Sequence, residues 1–370
     1  MKLTKHTIIF FALITIYKFS DAQGCVAIRS NGGTCTMMGH DEASTAKSDF
    51  WTFAMNNRYF KSFRHFVGTA EQKQRVEEGT EVINYVFSTE LGITRQINKR
   101  WSLALFAPIS SNARSSMYEH YGNSSTNPNA RRKTHSFGLG DIRFATYYWL
   151  IDPAKMSKAN VQLGMGVKLP TGDYRFQDYF WKNDSTKALG PVDQSIQLGD
   201  GGTGITLEAN AFYNFSKTVS AFVNGFYLSN PREQNGVSTK RGGTPTVLDI
   251  LYGTDVMSVP DQYMIRAGAS LAAERFNFSA GMRMECVPAD DLIGGSNGFR
   301  RPGYVLSVEP VVAYKVKHTQ LYISIPYAVQ RDRTQSVPDK LKTKKTGVYS
   351  QGDAAFSDYT INFGVAFSFR

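Results

Sequence analysis

The chain has 370 residues, of which 13% are aromatic and 20% are charged. Beyond its N-terminus it has no apolar run long enough to cross about 30 Å of hydrocarbon as a helix, so the sequence excludes a helical membrane protein. The net charge is +11 at pH 7. The basic runs at 131–133 and 340–345 lie between predicted strands, with no basic helix or groove, so no nucleic-acid partner is expected. Solvated loops, or contact with anionic lipid headgroups or lipopolysaccharide phosphates, are favoured instead.

Residues 1–22 have the pattern of a secretory signal peptide. A basic start precedes an apolar run over 7–17, and Ser20-Asp21-Ala22 is a small-x-small site, so we expect cleavage after Ala22. The apolar run is too short for a transmembrane anchor. The competing interpretation is a lipoprotein signal that is cut before Cys25, although Gln23 fits that pattern poorly.

Residues 23–49 form an N-terminal segment ahead of the first predicted strand. Cys25 and Cys35 flank a short glycine-containing stretch of an exported chain, so a disulfide between them is expected. The methionines and the histidine of this segment lack a second histidine or cysteine at ligand spacing, so neither a metal nor a cofactor is predicted. Cys286 is left over, and we expect an inert apolar role for it.

The remainder, 50–370, alternates apolar residues with small or polar ones in about twelve segments. In the last segment every second residue from Tyr359 to Phe369 is apolar, and the residues between them are small or polar. Such a strand suits lipid on one face and a polar lumen on the other. The predicted strands are 50–61, 82–96, 101–111, 136–150, 161–170, 204–215, 219–228, 262–273, 276–286, 304–315, 320–331 and 356–369.

The links between these strands alternate strictly between short and long, which predicts an all-β fold: a transmembrane, antiparallel, up-and-down β-barrel of about twelve strands. Short periplasmic turns and long extracellular loops are typical of such barrels, and the last strand is expected to close against the first. A soluble secreted β-protein is the competing interpretation. The short links are 97–100, 151–160, 216–218, 274–275 and 316–319, and the long links are 64–81, 112–135, 171–203, 229–261, 287–303 and 332–355.

If the apolar residues of each strand face lipid, the polar and charged residues that alternate with them face inward, since placing a charge in hydrocarbon costs free energy. These side chains either form a paired network that fills the lumen or line a polar path that selects solutes by charge. Residues 23–49 either enter the lumen as a plug or remain a periplasmic tail. The predicted lumen-lining set is Glu90, Arg143, Lys168, Glu208, Asn210, Arg266, Arg283, Glu285 and Glu309.

Two motifs resemble signatures of a known family. Gly138-Leu139-Gly140-Asp141-Ile142 and Lys168-Leu169-Pro170-Thr171-Gly172-Asp173 are similar to the GLGD and LPTGD motifs of the outer-membrane channels grouped with the MetA pathway of phenol degradation, relatives of the FadL-like barrels. The stretch 97–103 resembles a turn of the same family. The resemblance implies a channel for small hydrophobic or aromatic solutes, whereas the Cys25/Cys35 leader departs from the family pattern.

An enzyme is not predicted, because His40, His65, His120, His135 and His318 fall in the leader, loops or turns, away from an outward serine. The favoured function is an outer-membrane channel, and the alternative is a non-transporting structural or assembly partner in an outer-membrane protein complex. Expected partners are outer-membrane lipids, lipopolysaccharide phosphates near Arg300 and Arg301, and the barrel-assembly machinery through the C-terminal strand.

Overall fold

The computed structural model describes residues 50–122, 127, 129–155 and 158–369. The predicted cleavage after Ala22 and the Cys25–Cys35 disulfide therefore lie outside the described residues, as does the choice between plug and tail. Within the described part, no helix is long and apolar enough to span a bilayer.

The described residues form nineteen strands and a few short helices. The helices are α1 (Gln74–Glu77), α2 (Val247–Tyr252) and α3 (Val337–Thr346), with 3₁₀ turns at Pro153–Lys155 and Gln194–Ile196. The strands are β1 (Phe50–Val67), β2 (Ala70–Glu71), β3 (Ile83–Gln96), β4 (Trp101–Ser116), β5 (Arg132–Leu139), β6 (Arg143–Trp149), β7 (Ala159–Lys168), β8 (Gln177–Trp181), β9 (Lys187–Pro191), β10 (Gly204–Asn214), β11 (Val219–Ser229), β12 (Gln234–Ser238), β13 (Val256–Ser258), β14 (Gln262–Ala273), β15 (Phe276–Val287), β16 (Gly303–Val316), β17 (Thr319–Ser324), β18 (Tyr327–Asp332) and β19 (Ala354–Phe369).

Fifteen of these strands form one antiparallel sheet that closes into a twelve-stranded barrel, because β2 only extends β1 while β5 with β6 and β17 with β18 each share one wall position. Closure occurs between β1 and β19, whose register begins at Trp51 opposite Phe369. The predicted pairing of the last strand with the first is confirmed. No strand edge is left unpaired at this seam, as a bilayer requires.

Two strands predicted to be continuous are broken, and each break lies opposite a proline. The wall changes from β5 to β6 at 140–142, where the Pro108 carbonyl accepts the Gly140 amide at 2.7 Å. It changes from β17 to β18 at 325–326, where the Pro310 carbonyl accepts the Ile325 amide at 3.2 Å. Since proline cannot donate to a ladder, each break sits where regular pairing would fail.

The links divide the barrel into a short-link end and a long-link end. Two short links are two-residue turns whose first residues, Glu274 and Lys317, have φ near 50°. The long links carry the three helices and the hairpins β8–β9 and β12–β13. Strand β1 continues to Val67, past its predicted end at 61, and therefore places His65 on a strand instead of in a loop. Strand β5 begins at Arg132, before the predicted start at 136, and likewise places His135 on a strand.

Side chains alternate across the wall as the sequence predicts. The outer face carries large apolar side chains that are at least half exposed, among them Leu103, Phe144, Met165 and Leu207. Their strand neighbours of the other parity are buried. The outer face is therefore an apolar surface of the kind that contacts lipid, and the polar side chains lie inside.

Candidate functional site: the barrel lumen

The structure places all nine residues of the predicted lumen set on the inward parity. Eight are buried, and the side chain of Glu285 is 12% exposed. Asn210 bonds Gln162 and Asn224 toward the short-link end. The charged members fall into three clusters together with Arg58, Asp141 and Asp200, which were not in the predicted set. The clusters are Arg58, Arg266, Arg283, Glu285 and Glu309; Arg143 and Glu208 with Glu90 nearby; and Asp141, Lys168 and Asp200.

In the first cluster, Glu285 bridges two guanidinium groups. Its two carboxylate oxygens accept from Arg58 Nη1 and Nη2 at 2.8 Å each, and Oε1 also accepts from Arg283 Nη2 at 2.8 Å. Glu309 Oε1 lies 3.5 Å from both Arg266 Nη1 and Arg283 Nη1. Since β1 and β15 are separated by three wall positions, the Arg58–Glu285 ion pair crosses the lumen.

The second cluster holds a cation between a carboxylate and aromatic rings. Arg143 Nη1 is ion paired with Glu208 Oε1, and the Tyr147 hydroxyl donates to the same oxygen at 3.0 Å. The Arg143 guanidinium carbon lies 4.1 Å from the centre of the Phe106 ring and 5.7 Å from that of Phe226. Such stacking suits the weakly hydrated guanidinium group.

The two glycine-containing motifs meet at one point of the wall. The Thr171 hydroxyl donates to the Gly140 carbonyl at 2.9 Å and accepts the Ile142 amide at 2.8 Å. Asp141 Oδ1 accepts the Gly172 amide at 3.0 Å. The motifs are therefore the two halves of one structural joint, which sits where β5 gives way to β6.

This joint also anchors a piece of the long link that follows it. Lys168 Nζ is ion paired with Asp200 and lies 3.3 Å from Asp141 Oδ2, while the same Asp141 oxygen accepts the Asp200 amide at 3.2 Å. Residues 193–202, here called the lumen segment, are almost entirely buried. The sequence predicted only a long extracellular loop here.

The lumen segment packs against the inner face of β3, β4 and β5. The Ile196 carbonyl accepts from the Ser136 hydroxyl, and the Ser195 hydroxyl donates to Asn84 Oδ1 at 3.3 Å. A chain segment at this position narrows the lumen between mid-barrel and the long-link end. Its polar groups are matched by inward polar side chains of the wall, as burial requires.

An ion-pair cluster holds the start of the lumen segment. Arg301 Nη1 and Nη2 each donate to Asp193 at 2.7 Å, and Arg114 Nη2 lies 3.5 Å away. Burial opposes ionisation of Asp193, but Arg114 and Arg301 hold the pKa of its carboxyl well below the usual range.

Arg300 is buried and pairs with Asp291 at 2.6 Å. Both arginines expected to meet lipopolysaccharide thus form internal ion pairs.

Between the charged clusters and the lumen segment lies a cavity of about 90 Å³. Its lining combines aromatic and aliphatic side chains with charged ones. The charged residues that line it are Arg58, Glu90, Asp141, Arg143, Lys168 and Asp200, and the apolar ones are Phe60, Val86, Phe106, Pro108, Leu198, Phe226 and Leu228.

Comparison of the sequence with protein-family models gave no match, and comparison with curated proteins gave none. Among solved structures, an outer membrane channel from Pseudomonas putida F1 is similar with a TM-score of 0.55 and 10% identity, over 89% of this chain and 98% of that chain. The chain has the fold of an outer-membrane β-barrel channel. At this identity the likeness shows the fold alone.

Two further solved structures are similar with lower TM-scores. The CymD monoaromatic hydrocarbon channel has a TM-score of 0.42 and 9% identity, over 96% of this chain and 99% of that chain. A Pseudomonas aeruginosa FadL homologue has a TM-score of 0.38 and 5% identity, over 88% of this chain and 91% of that chain.

Sequence reasoning missed several lumen residues of this barrel. Arg58 lies on the inward parity of its strand and could have been found from that alone. The inward parity of β11 carries Phe226 and Leu228, which pack with Met264. Apolar residues on both parities made this strand look irregular in the sequence, and that irregularity was itself the signal of an apolar patch inside the lumen. Cys286 is buried and has no disulfide among the described residues.

His120 connects two elements at the long-link end of the barrel. Its ring is 1% exposed and packs 5.7 Å from Phe180, and Nδ1 accepts the Trp181 amide at 3.1 Å. Burial lowers the pKa of His120 from 6.5 to about 4. The neutral ring is therefore the form that the folded loop accepts.

We expect acid to loosen this contact. Because the folded-state pKa of His120 is depressed, its contribution to stability is complete above pH 6.5 and is lost as the pH falls toward 4. Hydrogen exchange of the Trp181 amide, corrected for its intrinsic rate, should accelerate as the pH falls from about 7 to about 4.5. His120→Asn, whose amide oxygen can still accept, should remove the acceleration, and His135→Asn should not. An unchanged response in His120→Asn would contradict the assignment.

Proposed function

We propose that the protein is a channel of the outer membrane that admits small solutes, hydrophobic and aromatic compounds among them. The observation that carries the proposal is the lumen cavity, whose walls offer three phenylalanine rings beside paired charges. A mixed lining of this kind can accept an apolar solute that bears a polar group. Twelve wall positions leave room for a narrow path at most.

The proposal includes a location and an orientation. The chain, cleaved after Ala22, lies in the outer membrane with its short links in the periplasm and its long links outside. The aromatic residues of β19, with Phe369 near its end, are the element that the barrel-assembly machinery would bind. Lipids and lipopolysaccharide would surround the apolar outer face.

We propose no enzymatic activity. Two histidines on the described strands lie near carboxylates: His135 Nδ1 is 3.7 Å from Asp178 Oδ2, and His65 Nδ1 is 2.7 Å from Asp353 Oδ2. His65 is the buried one of the two. Its Nε2 accepts the Val82 amide at 2.8 Å. This nitrogen is therefore occupied and cannot serve as a general base for a serine.

Planar-bilayer recording of the purified full-length protein tests the channel. We expect small, stepwise conductances in potassium chloride, and swelling of liposomes in small uncharged solutes, because the cavity lies within the lumen. The matched control is a preparation that has been boiled and has lost its heat-modifiable migration on gels. Folded protein that neither conducts nor admits any solute would refute the proposal.

The second candidate is a barrel that transports nothing and supports an outer-membrane complex. The Arg58–Glu285 ion pair favours it, since a carboxylate and a guanidinium group bound across the lumen obstruct a path. Folded, non-conducting protein that co-purifies with a stoichiometric outer-membrane partner would support this candidate.

A further inference from the structure

One carboxylate in the cavity stands apart from the ion pairs around it. Glu90, on β3, is only 6% exposed and lines the cavity. The Asn56 side chain bonds it, and the Tyr322 hydroxyl in turn donates to Asn56 Oδ1 at 3.0 Å. Within the part of the chain that the structure describes, Glu90 makes no ion pair. The charge of Arg143 also acts on Glu90, but without a direct ion pair. A buried carboxylate held in this way can still gain from a cation in direct contact.

The nearby cations form ion pairs with other carboxylates. Arg143 is paired with Glu208, and Lys168 is paired with Asp141 and Asp200. Neither of them neutralises Glu90 by direct contact.

The charge count of the three clusters points the same way. The clusters contain five basic side chains and six carboxyl groups, so the basic groups cannot pair one to one with every carboxyl group. The cations are Arg58, Arg143, Lys168, Arg266 and Arg283, and the carboxylates are Glu90, Asp141, Asp200, Glu208, Glu285 and Glu309.

The apolar residues that line the cavity indicate what kind of ligand would bind beside the Glu90 carboxylate. Phe60, Phe106 and Phe226 line the same cavity as Glu90, together with aliphatic Val86 and Leu198. The faces of aromatic rings attract cations, and Phe106 already does so with Arg143 at 4.1 Å. The site therefore offers a counter-ion, aromatic faces and an apolar wall.

Resting on the proposed channel function, we propose that the cavity binds small organic ammonium ions, with Glu90 as the counter-ion of the ammonium group and the phenylalanine rings in contact with its apolar body. A primary ammonium group donates hydrogen bonds to the carboxylate as an inorganic cation cannot. Its apolar body displaces water from the rings. Neutral and anionic analogues of the same shape lack the first contact.

Calorimetric titration of the full-length protein in detergent tests the inference, with benzylammonium, benzyl alcohol and benzoate as probes. We expect benzylammonium to bind about tenfold or more tightly than either analogue, because a charge-assisted hydrogen bond is about twice as strong as a neutral one. Glu90→Gln should abolish the preference, whereas Glu90→Asp should retain part of it. Glu77→Gln, on the exposed helix α1, is the matched control and should bind as the unaltered protein does.

The outcomes separate this inference from the channel proposal. Conductance without a preference for benzylammonium would overturn the ammonium site and leave the channel intact. Absence of conductance with binding that depends on Glu90 would refute the channel and keep the site. If Glu90→Gln does not fold, as judged by heat-modifiable migration, the ranking of the three probes on the unaltered protein decides, and equal or tighter binding of benzoate overturns the inference.

Discussion

Replacing Glu285 with alanine is expected to destabilise the barrel by about 3–5 kcal/mol and to enlarge its conductance, because one partner of a buried ion pair is removed while the others stay. Glu285 holds Arg58 and Arg283 with three contacts of 2.8 Å. Both guanidinium groups are buried, so the variant leaves like charges facing each other in the lumen. The side chain that bridges the lumen is also lost.

Urea unfolding in lipid vesicles and single-channel recording would measure the two effects. The control is Asp290→Ala, which removes an ion pair with Lys340 whose side chains are 62% and 49% exposed. An exposed pair of this kind contributes about 0–1 kcal/mol. Equal stability of the two variants would show that the Arg58–Glu285 contact does not brace the lumen. Unchanged conductance would show that ions do not pass this point.

The variant Gly172→Ala is expected to displace the lumen segment. A Cβ at this position would lie 2.8 Å from the Leu198 carbonyl oxygen and 2.9 Å from backbone atoms of Gly140 and Gly199. All three neighbours are backbone, so relief requires movement of a whole segment. Overpacking of this kind costs about 1–3 kcal/mol, and here it falls on the joint between the two motifs.

Hydrogen exchange over the lumen segment should rise in Gly172→Ala, and conductance should increase as the segment leaves the lumen. Gly225→Ala is the control, because its nearest neighbour is the Ala209 carbonyl oxygen at 4.0 Å. It should behave as the unaltered protein does. If both variants leave exchange over 193–202 unchanged, the joint does not hold the segment.

Much of the wall could be predicted because strand parity and link length are local signals. The alternation from Tyr359 to Phe369 located the closing strand, and the same parity placed Glu285 inside. Strand alternation does not show which inward residues contact each other across the lumen. Arg58 and Glu285 are 227 positions apart in the chain. Their contact depends on strand tilt and register summed over several wall positions.

The lumen segment was missed for a different reason. Its burial depends on the Asp141, Lys168 and Asp200 joint and on the Asp193–Arg301 ion pair, all of which bring together distant parts of the chain. Read alone, residues 193–202 show only the polar, glycine-rich composition of a surface loop. The motif resemblance marked Gly140 and Gly172, but their contact with each other follows from the fold and not from their spacing.

The Arg58–Glu285 ion pair also bears on how the barrel assembles. Arg58 belongs to the first strand, and it reaches Glu285 only after β19 has joined β1, because the short way round the wall runs through that seam. An open sheet would hold Arg58 without its carboxylate, and Glu285 with only Arg283. A charge without its partner in an apolar surrounding is costly. The ion pair therefore favours the closed barrel over an open sheet in which it cannot form.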